Sequence, residues 1–152
     1  MRKRMTRLAA ALAAVGLAVL AVCTQPGRGA ADPDAGLPQA VKEGLIQFRN
    51  GSGAGLRAWV KDGPLDGTKV VEPLERMLGK VEAIYGRFES YDVIRVEKLT
   101  PRTQVIYLTL NYGKGPAFAK LVAYHARTGW VVPQLVANTD PSVVLPAQWR
   151  EP

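Results

Sequence analysis

The chain of 152 residues has a single cysteine, Cys23, and a single histidine, His125. One cysteine excludes an internal disulfide framework and any cysteine-rich zinc site. One histidine leaves little room for a histidine-built metal centre or base. Long apolar runs are lacking too. The stretch at residues 8–22 has fifteen residues, short of the ~20 that a membrane span needs. There is no phosphate-binding Gly-x-x-x-x-Gly-Lys-Ser/Thr loop, no His-Glu-x-x-His, no EF-hand loop and no Gly-x-Ser-x-Gly elbow. Apolar residues make up 47% and charged residues 22%. That balance excludes collagen-like, low-complexity and wholly disordered classes, and the length suits one domain.

What is present begins with the first thirty residues. Arg2, Lys3, Arg4 and Arg7 precede the apolar run, which Pro26 and Gly27 end. Gly29 and Ala31 then supply small residues at the two positions that a cleavage site restricts. This is the layout of a secretory signal peptide. Residues 1–31 are therefore expected to be a signal peptide, 32–37 a linker and 38–152 one domain. The expected location is the periplasm or the exterior, with no membrane span in the mature chain. Leu20, Ala21, Val22 and Cys23 resemble a lipobox, although Val22 stands where a small residue is wanted. A lipid anchor through Cys23 is the alternative.

The charge changes meaning with that division. The whole chain carries +7, but residues 1–31 hold five basic residues and no acidic one. The remainder has 15 basic and 13 acidic residues, a net +2. Signs alternate, as in Lys42-Glu43, Lys61-Asp62 and Glu75-Arg76. Nucleic-acid binding needs a basic stripe or patch, so no nucleic-acid partner is expected.

Along the mature chain, Pro38 can open a helix, and Val41, Leu45 and Phe48 follow at spacings of four and three. Asn50-Gly51 stops it, and Gly51-Ser52-Gly53 reads as a loop. Residues 56–60 predict a short second helix with Trp59 inward, ended by Asp62-Gly63-Pro64. Val70, Val71, Leu74, Met77, Leu78, Val81, Ile84 and Tyr85 form a broad apolar stripe on a third helix. Thr68 is expected to cap its start, and Gly86 to stop it. Gly79 inside it suggests close packing. The period then changes to two. Strands are expected at residues 91–99, 104–112, 117–125 and 130–138. The second is apolar on both faces, as a central strand would be. Pro133 makes the fourth an edge strand or a bulged one. Asp140 or Thr139 caps a helical turn at 141–145. The expected fold is α+β, with N-terminal helices packed on a curved four-stranded antiparallel sheet.

The Gly63-Pro64-Leu65-Asp66 turn, the helix end Tyr85-Gly86-Arg87-Phe88 with Tyr91, and the closing Gly129-Trp130-Val131-Val132 carry a resemblance. Together with the element order, they resemble small exported proteins of unknown function in the cystatin-like, nuclear-transport-factor-2-like superfamily. The resemblance spans residues 37–138. It implies a cone in which helices lie in a curved sheet, a pocket inside it, and dimerisation through the open sheet face. Enzymatic members carry an acid–base pair inside the cone, often Asp with His or Tyr, and no such pair is matched here.

The candidate residues follow. Tyr91, Tyr107, Tyr112, Tyr124 and Trp130 cluster in the sheet half and are read as a pocket or interface set, against ordinary cross-strand packing. His125, at a strand end, reads as a solvated hairpin residue. Asp92 with Tyr107 would suit proton transfer if both pointed inside, against a solvated strand face. No catalytic, cofactor or metal residue is assigned, and no cofactor is expected. The leading expectation is an exported non-enzymatic domain that self-associates as a homodimer or binds a small apolar ligand. The alternative is a small cone-fold isomerase or hydrolase acting on a small organic molecule. Trp149 and the Val143-Val144-Leu145 turn are candidates to cover the sheet face themselves.

Overall fold

The computed structural model describes residues 34–149. The chain divides into two units, Met1–Ala30 and Ala31–Pro152, and the described residues belong to the second. The expected signal segment lies outside them.

Helix α1 (Gln39–Gln47) starts after Pro38, and Val41 and Leu45 are buried on it. A 3-10 turn, Phe48–Asn50, continues it and buries Phe48. Gly51 follows at φ 116°, a conformation that glycine adopts without steric cost. Helix α2 (Ser52–Val60) begins at once, so the loop expected at Gly51-Ser52-Gly53 is only the single residue Gly51. A distant side chain makes the early start favourable. The Ser52 N–H donates to Glu82 Oε2 at 2.9 Å, which satisfies an orphan amide of the first turn and places a negative charge at the helix N-terminus.

The two helices meet through two glycines. A Cβ at Gly44 of α1 would stand closer than 3.0 Å to the Trp59 ring of α2, and one at Gly55 of α2 equally close to the Phe48 ring. Each glycine admits the other helix's aromatic side chain. Phe48 and Trp59 lie 4.6 Å apart, and Trp59 Nε1 donates to the Val41 carbonyl at 3.0 Å.

Helix α3 (Glu72–Tyr85) is preceded by a 3-10 turn, Lys69–Val71. Thr68 does not cap it. Its hydroxyl donates backward to the Leu65 carbonyl at 2.7 Å. Gly86 ends the helix at φ 92°. Only Leu78 and Val81 of the apolar stripe are buried, while Val70 and Ile84 face solvent. Gly79 is exposed with nothing near it, so it makes no close approach.

Strands β1 (Phe88–Thr100), β2 (Thr103–Tyr112), β3 (Gly115–Ala126) and β4 (Gly129–Asn138) pair antiparallel in the order β1-β2-β3-β4. The fold is α+β, as the element order predicts. Register shifts interrupt β1 and the β3–β4 pairing near Pro133, and such bulges bend a strand. Pro133 therefore lies on an edge strand and at an irregularity together.

Registers define the faces. Ile106, Leu108 and Leu110 of β2 pair with Leu121, Ala119 and Ala117 of β3. This is the face that joins the helices in the core. Val105, Tyr107 and Thr109 pair with Val122, Lys120 and Phe118 on the other face. Val105 and Tyr107 are buried there as well. The chain beyond β4 crosses toward that face through α4 (Pro141–Val144) and a 3-10 turn, Ala147–Trp149. Asp140 caps α4, accepting the Ser142 N–H at 2.8 Å, and Val144 is buried. Trp149 meets Tyr107 edge-on at 4.7 Å, and the Arg95 guanidinium lies 4.7 Å from the Trp149 ring centre.

Candidate functional site

Where α3 leaves the sheet, an apolar cleft remains. Its floor is β4 (Pro133, Leu135) and its wall is the 3-10 turn and the start of α3 (Val71, Leu74), with Val60 and Leu65 closing one end. The cavity measures about 160 Å³. A second cavity of about 320 Å³ shares Val70, Leu74 and Leu135 with it and continues toward Met77 and Ala137. No titratable side chain lines either one, and Gln134 is the polar exception. The cleft exists because α3 seats fully only at Leu78 and Val81. Val71, Leu74 and Met77 are half-buried and pack against the core from the side, so the cleft runs between them and β4.

A polar cluster lies deeper. Ser52 Oγ and Tyr112 Oη share a hydrogen bond of 2.9 Å, and both residues are buried. Glu82 holds the Ser52 amide from α3. Burial pushes the Tyr112 phenol above its usual range, the Ser52 bond pulls it down, and the Glu82 charge pushes it up again. The phenol stays protonated at neutral pH, and either hydroxyl of the pair can be the donor.

The five aromatic residues singled out from the sequence do not share a pocket. Tyr112 lies in the core beside Phe88, 6.0 Å away. Tyr91 is on the same face at β1, and its hydroxyl donates to Asp34. Tyr107 lies on the opposite face under Trp149. Burial, then the Glu97 charge, raise its pKa. Tyr124 is exposed, with the Arg102 guanidinium 5.1 Å from its ring. Trp130 is half-buried at the start of β4, with His125 edge-on at 5.1 Å. Asp92 pairs with Thr109, accepts hydrogen bonds from Thr109 and Asn111, and is exposed. Tyr107 pairs with Arg95 instead, so Asp92 and Tyr107 form no inward acid–base pair.

Sequence reasoning did not pick out Ser52, Glu82 or the cleft. Val70, Val71, Leu74 and Met77 of the cleft belong to the apolar stripe, but the stripe carries no mark of which members line a cavity with β4. No group of three or more potential metal ligands occurs among the described residues, and none of their helices is long and apolar enough to cross a membrane.

No protein-family model matches the chain, and no curated protein matches it. Among solved structures, it is similar to the crystal structure of a domain of unknown function with a cystatin-like fold from Nostoc punctiforme PCC 73102. The identity is 13%, the match covers 78% of this chain and 81% of that one, and the TM-score is 0.47.

Proposed function

We propose that the chain is an exported, non-enzymatic binding domain that takes a small apolar ligand in the cleft between α3 and β4. One observation carries the reading. The cleft is walled by aliphatic side chains and lacks any titratable lining group, so it offers burial to a ligand and no acid or base to a reaction. Export rests on the basic, apolar and small-residue order of residues 1–31.

Titration with an apolar fluorophore such as anilinonaphthalene sulfonate tests the site. Saturable enhancement is expected for the wild type and not for Leu74→Trp, whose ring would fill the cleft. A folded Leu74→Trp variant that binds the dye as well as wild type would overturn the assignment. Intact-mass analysis of the exported protein tests the address. The expected mature chain begins at Asp32, and a diacylglyceryl-modified Cys23 would replace that reading by the anchored one.

The alternative of a small isomerase or hydrolase has the Ser52–Tyr112–Glu82 cluster behind it. That cluster is built into the packing of α2, α3 and β2, and Ser52 is fully buried. For homodimerisation through the sheet face, the relevant fact is that Trp149 already stands on Tyr107 of the outer face.

A further inference from the structure

We propose that another cavity, between the α1–α2 pair and the β3–β4 hairpin, binds a small zwitterionic amine: a free amino acid with an apolar side chain. This site is separate from the apolar cleft. Its volume is about 370 Å³, within the ~300–1,000 Å³ usual for small-molecule sites.

The site is built from two helical turns. Ala40 and Glu43 lie three residues apart on α1; Ala58 lies in the last turn of α2, and Lys61 is the residue that follows that helix. Residues at that spacing share a helix face. Each helix end thus offers a half-buried methyl group, and Glu43 and Lys61 beside them are exposed. The two alanines leave room above Trp130, which forms an apolar wall and is braced edge-on by His125. Asp62 completes the rim from a left-handed backbone position, φ 59°. Its N–H donates to the Asp66 carboxylate at 3.1 Å, which holds the turn in place.

Charge selects the ligand. The rim carries two carboxylates, Glu43 and Asp62, and one ammonium, Lys61. Among the described residues none of the three is in an ion pair, and Glu43 Oε1 accepts one hydrogen bond, from Gln39 Nε2 at 3.1 Å. A simple cation would pair with the carboxylates but leave Lys61 unpaired, and a simple anion would leave both carboxylates unpaired. A hydrocarbon would cover three charges and satisfy none. A zwitterion presents its ammonium to the carboxylates and its carboxylate to Lys61, each through charge-assisted hydrogen bonds. Its apolar side chain then lies against Trp130, Ala40 and Ala58.

Calorimetric titration of the purified protein with L-phenylalanine, its methyl ester and its N-acetyl derivative tests this. The free amino acid is expected to bind, and both derivatives to bind at least about tenfold more weakly, since each loses one charged contact. Lys61→Gln should bring the amino acid down to the level of the ester. Ala58→Trp should abolish binding, while Leu74→Trp, in the other cleft, should leave it unchanged. No heat at about 10 mM amino acid, equal binding of amino acid and ester, or binding that survives in Ala58→Trp would each overturn the proposal. Loss in Leu74→Trp alone would also overturn it, by assigning the ligand to the apolar cleft.

Discussion

Ser52 and Tyr112 are sixty residues apart and share one buried hydrogen bond. Removing one partner of such a bond leaves the other desolvated, which costs about 1–3 kcal/mol. Ser52→Ala should therefore lower the urea midpoint by a stability loss of that size. Adding Tyr112→Phe should cost less than the sum of the single changes, because the orphaned hydroxyl leaves with it. Strict additivity would show that the two hydroxyls do not act on each other. The same pair sets a pH dependence. The Tyr112 phenol is raised above 10.0 in the folded chain, so above pH 10 the unfolded chain loses this proton first. Stability is then full below pH 10 and falls as pH rises toward the folded-state value. Tyr107 is raised too, so the comparison needs Tyr112→Phe beside wild type. The variant should lose less stability than wild type between pH 9 and pH 11, and equal losses would assign the effect elsewhere. None of this was legible in the sequence. Ser52 lies between glycines and reads as a loop residue, because its helix start is completed by Glu82 from another element.

At the scale of elements, the same substitution should act in opposite directions on two helices. Gly55 of α2 has the Phe48 ring where a Cβ would go, whereas Gly79 of α3 faces open space. Gly55→Ala should cost about 1–3 kcal/mol by overpacking. Gly79→Ala should gain up to about 1 kcal/mol from helix propensity. Chemical denaturation of both variants decides the matter, and a gain at Gly55 would contradict the close crossing of α1 and α2. The helices themselves were legible, since Val41, Leu45 and Phe48 recur at helical spacing and all three are buried. The role of each glycine was not. A glycine that admits an aromatic ring and one that merely weakens a helix look alike until the neighbouring element is in place. The wide stripe of α3 misled in a related way. Periodicity shows which residues share a face, but not how deeply each is buried, and the half-buried members Val71, Leu74 and Met77 line the apolar cleft.

On the scale of the whole molecule, the sheet is covered on both sides by means of very different strength. Three helices cover one face, with the core behind them. The other face has the segment after β4, in which Val144 is buried and Trp149 rests on Tyr107 under Arg95. An edge-on aromatic pair adds about 0.5–1.5 kcal/mol to area burial. Trp149→Ala should therefore lower the unfolding midpoint by at least that loss and move the Tyr107 ring toward solvent, read as a smaller rise in its pKa by ultraviolet titration. A variant with unchanged stability and unchanged Tyr107 titration would show that the segment does not rest there in solution. The open edges are β1 and β4. Bulges break the first, and Pro133 and its bulge the second, devices that discourage strand pairing with other chains.

From sequence alone came the kinds of elements, their order, the α+β class and the placing of five of the basic residues, with no acidic one, in residues 1–31. These depend on local physics: spacing of apolar residues, glycine and proline at stops, and the placing of charge along the chain. Tertiary structure alone decided which face of Gln104–Tyr112 the helices cover, since that segment is apolar on both sides and alternation cannot choose. It also decided the Ser52–Tyr112–Glu82 contact, the partial seating of α3, and the separation of five aromatic residues that the sequence places in one half of the chain. Each of these depends on strand register and on contacts between residues dozens of positions apart. A shift of one residue in register exchanges the two faces, so only the assembled sheet fixes them.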